Sequence, residues 1–198
     1  MSDPISRREF AAVVGTVAAT GAGVAAEPPK PAEPAKPVEA AFERDYEAPG
    51  FKPGWKKPQV NRLLVQDFVI VGHSDLDMVK KLLEKEPALL NAAMDWGGGD
   101  WETALGGASH VGNRPIAEFL IEKGARIDLF AAAMLGQLEA VKTLLTLQPK
   151  LIDAKGPHGF GLHWHAKMGG KPAEPTLEYL QSVKKVEFSM PKKIEKKD

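Results

Sequence analysis

The sequence predicts an all-α protein built from helix hairpins stacked side by side, and three observations predict it. First, Ser74–Ala92 (SDLDMVKKLLEKEPALLNA) recurs 62 positions later as Gly136–Ala154 (GQLEAVKTLLTLQPKLIDA). The copies share Leu76/Leu138, Val79/Val141, Leu83/Leu145, Pro87/Pro149 and Leu89/Leu151. Second, a third amphipathic segment, Asn113–Lys123, lies between them and closes on Gly124-Ala125. Third, apolar residues recur four, five, eight and nine positions after Ser74, Gly112 and Gly136, ending on Leu82/Leu83, Leu120/Ile121 and Leu144/Leu145. That spacing lays one apolar stripe along a helix of 3.6 residues per turn. A hairpin this thin cannot bury its stripe alone, so successive hairpins must lean on one another.

Taken in order, the chain opens with a targeting segment at residues 1–26. Ser6-Arg7-Arg8-Glu9-Phe10 leads into an uncharged run, Phe10–Val24, and small residues follow at Ala25 and Ala26. This order resembles the twin-arginine export signal, in which Arg7 and Arg8 are read by a receptor. The resemblance implies cleavage, expected after Ala26, and passage of a folded chain to the outer side of a bacterial inner membrane. The run is too short to span a bilayer comfortably, so no membrane insertion is expected after cleavage. Residues 27–58 carry Pro28, Pro29, Pro31, Pro34, Pro37, Pro49, Pro53 and Pro58. Proline removes amide donors and favours an extended backbone, so this stretch reads as a disordered, solvated spacer. At the far end, residues 186–198 form a Lys-rich tail.

Composition excludes several function classes. The 26 basic and 26 acidic residues balance to a net charge of zero, which gives no electrostatic footprint for nucleic acid. Cysteine is absent. Disulfides, thiol nucleophiles and zinc–thiolate sites are therefore excluded.

The repeat units carry further motifs. Glu102-Thr103-Ala104-Leu105 is followed by Ala108-Ser109-His110-Val111-Gly112, then by Ile116 to Ala125. Ala131-Ala132-Ala133-Met134-Leu135-Gly136 repeats the first-helix pattern, and Gly161-Leu162-His163 opens a fourth unit. Across residues 59–185 the chain resembles ankyrin repeats, which implies a solenoid of about four helix-hairpin units. Departures from that family's pattern predict local irregularity. The turns Ser74, Gly112 and Gly136 are 38 and 24 residues apart. The long interval holds Trp96-Gly97-Gly98-Gly99-Asp100-Trp101, a finger expected to fold back tightly. In the short one, Gly124-Ala125 runs almost directly into a helix at Leu129, so the next finger should be missing.

The resemblance implies partner recognition through finger tips and the exposed side of the first helices. That assigns Trp96, Asp100, Trp101 and Glu102 from the finger, with His110, Met134, Leu135 and Met168 from the helices. Exposed aromatic and methionine side chains suit the core of an interface. An alternative leaves Trp96 and Trp101 folded inward over the notch of the missing finger. Asp95, Asp100 and Glu102 are expected on a solvated rim. His158, His163 and His165 form the metal-ligating alternative, with His163 and His165 on one face if the segment is a strand. Ser74, Ser109 and Ser182 have no His–carboxylate arrangement in sequence, and Gly97-Gly98-Gly99 is followed by no phosphate-binding lysine. The expectation is a non-enzymatic, cofactor-free adaptor or accessory factor in the periplasm, binding a protein partner, with a histidine-based metal-binding module as the alternative.

Overall fold

A computed structural model describes residues 40–51, 54 and 56–188. The Arg7–Arg8 segment, much of the proline-rich spacer and most of the Lys-rich tail lie outside the described residues. The chain divides into Met1–Pro53 and Gly54–Asp198. In the first unit, residues 40–51 form neither helix nor strand. There the Phe42 and Tyr46 rings lie 6.4 Å apart, and the Arg44 guanidinium sits 6.0 Å from the Phe42 centroid.

The second unit is predominantly α-helical. Its described helices are α1 (Arg62–Val71), α2 (Leu76–Lys85), α3 (Ala104–His110), α4 (Arg114–Glu122), α5 (Leu129–Leu135), α6 (Leu138–Leu147), α7 (Leu162–Met168) and α8 (Glu174–Val183). Short polar side chains start them where the sequence places a turn. Asp75 caps Met78 N at 3.0 Å, Thr103 caps Gly106 N at 3.0 Å, and Asp128 caps Ala131 N at 2.7 Å. Such caps satisfy amides that have no partner within the helix. Pro87 and Pro149 end α2 and α6 alike, each opening a 3-10 turn, Pro87–Asn91 and Pro149–Asp153. The sequence echo is thus a structural echo.

One departure from the all-α expectation is a small antiparallel ribbon, β1 (Ala93–Asp95) and β2 (Trp101–Thr103), in which Met94 faces Glu102. It is the long finger. Gly97, Gly98 and Gly99 reverse the chain with φ of 127°, 64° and 87°, values that side chains with a Cβ adopt at a cost. Asp95 Oδ1 ties the reversal by accepting from Gly97 N at 2.9 Å and Gly99 N at 3.1 Å.

Consecutive helices pack as the pairs α1–α2, α3–α4, α5–α6 and α7–α8, while α3 packs on α1 and on α5, and α5 packs on α7. Helix α5 is buried on both sides. Ala131, Met134 and Leu135 join the apolar cluster of Phe68, Leu105, Ile116 and Leu120. Ala132 and Ala133 join that of Val141, Leu145, Leu162 and Leu180. Three consecutive alanines make α5 thin enough for α3 and α7 to touch across it as well. Close approach also marks the end of α7, where a Cβ on Gly169 would overlap the Met134 carbonyl oxygen. Among the described residues no helix is long and apolar enough to cross a membrane.

Candidate metal centre

The α3–α7 contact and the short connection from Gly124 to Leu129 bring together side chains that are far apart in sequence. His73 follows α1, Glu102 sits in β2, His110 ends α3, and His158 stands in the 3-10 turn Pro157–Gly159 before α7. One potential ligand atom from each lies within 4.8 Å of the others. His73 Nε2 is 3.6 Å and His110 Nδ1 3.1 Å from Glu102 Oε1, and His158 Nε2 is 3.4 Å from Glu102 Oε2. Ligands about 2.0–2.1 Å from a tetrahedral ion stand roughly 3.3 Å apart. The approaches to Glu102 are near that spacing, and the cluster as a whole, spread over up to 4.8 Å, would contract around an ion.

Hydrogen bonds around the cluster turn ligand lone pairs inward. His73 Nδ1 lies 2.9 Å from the Val69 carbonyl and 3.1 Å from that of Ile70. Carbonyls only accept, so Nδ1 carries a proton; Nε2 is left facing Glu102 and offers a lone pair to an ion once its own proton is displaced. His158 Nδ1 is 2.8 Å from Asp100 Oδ2, and the His158 amide donates to Asp100 Oδ1 at 2.9 Å. Trp96 Nε1 donates to Glu102 Oε2 at 2.8 Å, fixing the carboxylate plane. Carboxylate or carbonyl partners on the far nitrogen are the usual support of a metal-bound imidazole.

Some polar atoms are left over. Glu102 is 1% and His110 3% exposed, yet Glu102 Oε1 and both ring nitrogens of His110 lack an aligned hydrogen-bond partner. The 3.1 Å approach of His110 to Glu102 is therefore electrostatic, without hydrogen-bond alignment. His165 Nε2 and Thr176 Oγ1 are orphaned likewise, but among the described residues only here do three such atoms meet; buried polar atoms of this kind are usually satisfied by protein, water or an ion. Burial pushes the Glu102 carboxyl up, but the imidazoles of His110 and His73 outweigh it and hold Glu102 well below the usual carboxylate range. Burial lowers the His110 pKa and, together with the neighbouring His73 and His158, outweighs the raising effect of Glu102, which favours the neutral, ligating form. For His73, burial lowers the pKa, but Glu102 and the two carbonyls raise it further, to a net increase. His158 and His73 form the rim of the site, with side chains 31% and 19% exposed.

No family model matches this chain, and no curated protein or solved structure matches it either.

Several expected positions are corrected. His158, His163 and His165 do not form one site. The segment is helix α7, where residues two apart point to different sides. His163 Nε2 bonds the Lys184 carbonyl at 2.8 Å. His165 is buried against Phe130, its Nδ1 on the Gly161 carbonyl at 2.9 Å, and burial lowers its pKa. Glu102 and His110 are interior and cannot present themselves to a protein partner, nor is Glu102 on a solvated rim. Met134 and Leu135 are buried too, because α5 is covered from both sides. Of the two tryptophans, Trp96 turns inward to Glu102 while Trp101 is 61% exposed. Met168 is half-buried. Asp100 orients His158.

His73 is the ligand that sequence reading missed. A signal existed: His73 and His110 both sit just before the helix–helix turn of their units, at Ser74 and Gly112.

Proposed function

We propose that this chain binds one divalent transition-metal ion through His73, Glu102, His110 and His158, on an exported ankyrin-type repeat scaffold. The observation that carries the reading is that Glu102 Oε1 and both ring nitrogens of His110 are buried without an aligned hydrogen bond, in a cluster with two further imidazoles whose potential ligand atoms lie within 4.8 Å of one another. Nitrogen and oxygen donors without thiolate suit zinc, cobalt, nickel or copper(II). Four protein ligands make a closed shell, the pattern of structural and storage sites, whereas catalytic zinc keeps a position for water. A non-enzymatic role follows from that closure. The scaffold reading rests on the motif resemblance together with the serial packing of α1, α3, α5 and α7. The twin-arginine resemblance supports a periplasmic setting. Titration calorimetry of the full chain with zinc should give one ion per chain, and His110→Ala should abolish the high-affinity heat. Equal heats for both proteins would refute the site.

A second reading, protein binding as an adaptor, is favoured by Trp101, whose ring stands largely exposed on the finger. Trp101→Ala should weaken capture of a periplasmic partner by ~2 kcal/mol or more while leaving the melting temperature unchanged. A melting temperature that falls with unchanged capture would instead make Trp101 a packing residue.

A further inference from the structure

Three of the four ligands come from one neighbourhood. The α1 helix leading to His73 and the α3 helix bearing His110 share one apolar cluster, and β2 with Glu102 packs beside them. The fourth comes from far along the chain, on the Pro157–Gly159 turn, which packs against α3. Resting on the metal-binding reading above, we propose that the ion works a latch: it draws the His158 turn onto the β-ribbon and fixes it there.

The attachments of the turn support this. Its internal bonds run from Gly156 N to Phe160 O at 2.8 Å and from Gly159 N to Gly156 O at 3.0 Å, so it keeps its shape locally. Its closest polar ties to the ribbon both end on Asp100: the His158–Asp100 ion pair, whose side chains are 31% and 30% exposed, and the His158 amide, which donates to Asp100 Oδ1 at 2.9 Å. Ion pairs exposed to that degree contribute little in water. His158 also holds a φ of 57°, the only positive φ at a non-glycine among the described residues. A residue in that backbone conformation is held there by its surroundings against an intrinsic cost. Coordination by Nε2 supplies a far stronger hold than the exposed pair, and Asp100 already turns the ring to present that atom.

The latch has a consequence for the surface. A cleft of about 230 Å³ lies beside the site, with Gly99, Asp100 and Trp101 on the ribbon side and Lys155, Gly156 and Pro157 on the turn side. Asp128 and Phe130 line it from α5 and its cap, and the His158–Asp100 contact ties the ribbon side to the turn side. Opening the latch therefore displaces one wall of the cleft, and metal occupancy becomes readable at the protein surface through the exposed Trp101.

Hydrogen exchange of the full chain, with and without saturating zinc and with calorimetry alongside, tests the latch. Amides of residues 155–161 should exchange at least tenfold more slowly with zinc, while those of α8 change little. His158→Ala should still bind zinc through the three remaining ligands, at least tenfold more weakly, and show no slowing at 155–161. Binding without any slowing there, slowing spread evenly into α8, or slowing that persists in His158→Ala each overturns the latch and leaves metal binding intact. Absence of binding by the wild type overturns the metal reading itself.

Discussion

A Glu102→Gln chain should bind zinc on the order of 100-fold more weakly than the wild type, or worse, and still fold. The substitution removes one charge and almost no volume. The new amide oxygen remains an acceptor for Trp96 Nε1, which donates to Glu102 Oε2 at 2.8 Å. The new amide hydrogens would face His110 Nδ1, now 3.1 Å from Glu102 Oε1 and unpartnered. What disappears is the carboxylate charge, which His73 and His110 approach at Oε1 and His158 at Oε2. Changes to groups that merely support a metal ligand already cost about 10–100-fold in affinity, so loss of a charged ligand should cost more. Titration calorimetry, with circular dichroism to confirm folding, reads the result. An unchanged zinc affinity in a folded variant would remove Glu102 from the site.

Gly169→Ala should destabilise the protein by about 3 kcal/mol or more, a larger effect than its size suggests. A Cβ there would overlap the Met134 carbonyl oxygen and lie 2.7 Å from the Ala173 Cβ, so α7 must move off α5. The same carbonyl accepts from Arg114 Nη2 at 3.2 Å, so the displacement reaches α4. In a domain of this size that loss corresponds to a fall in melting temperature of roughly 10 °C, measured without metal so that ligand binding does not offset it. Gly170→Ala is the control. Its φ of 65° and ψ of −151° form a backbone conformation that essentially only glycine adopts, but nothing lies within 4 Å of a Cβ, so backbone strain alone should cost about 1–3 kcal/mol. An unchanged melting temperature in Gly169→Ala would show that the α5–α7 contact yields readily to an added methyl group.

Most of the helical order is legible in the sequence, and for a definite reason. The Leu-Leu pairs and their prolines set both the phase and the end of α2 and α6, and the turn residues Asp75, Asn113 and Asp128 mark helix starts by chemistry local to the sequence. The ribbon is legible only as a tight finger. Its three-residue strands are too short for alternation to show, and Glu102 points inward because Trp96 and two histidines receive it there. The site is legible in fragments. Asp100, Glu102, His110 and His158 each stand out for a different reason, since nothing in their spacing says that α3 and α7 meet across a thin helix. His163 and His165 group with His158 by proximity along the chain, and the helix separates them. Burial of Met134 and Leu135 is hidden for the same reason: the first-helix pattern does not reveal that α5 lacks an open side.

The run from Gly124 to Leu129 has a wider meaning for how such chains acquire chemistry. An array of equal modules presents each neighbour with identical surroundings, and no locus in it differs from the next. Here the helix pairs are unevenly spaced, with a ribbon in one interval and a short connection in the next. The imidazoles that approach Glu102 follow α1, end α3 and precede α7, so they belong to three different helix pairs. Lengthening the connection from Gly124 to Leu129 would even out the spacing and put added residues beside the place where His158 meets Glu102.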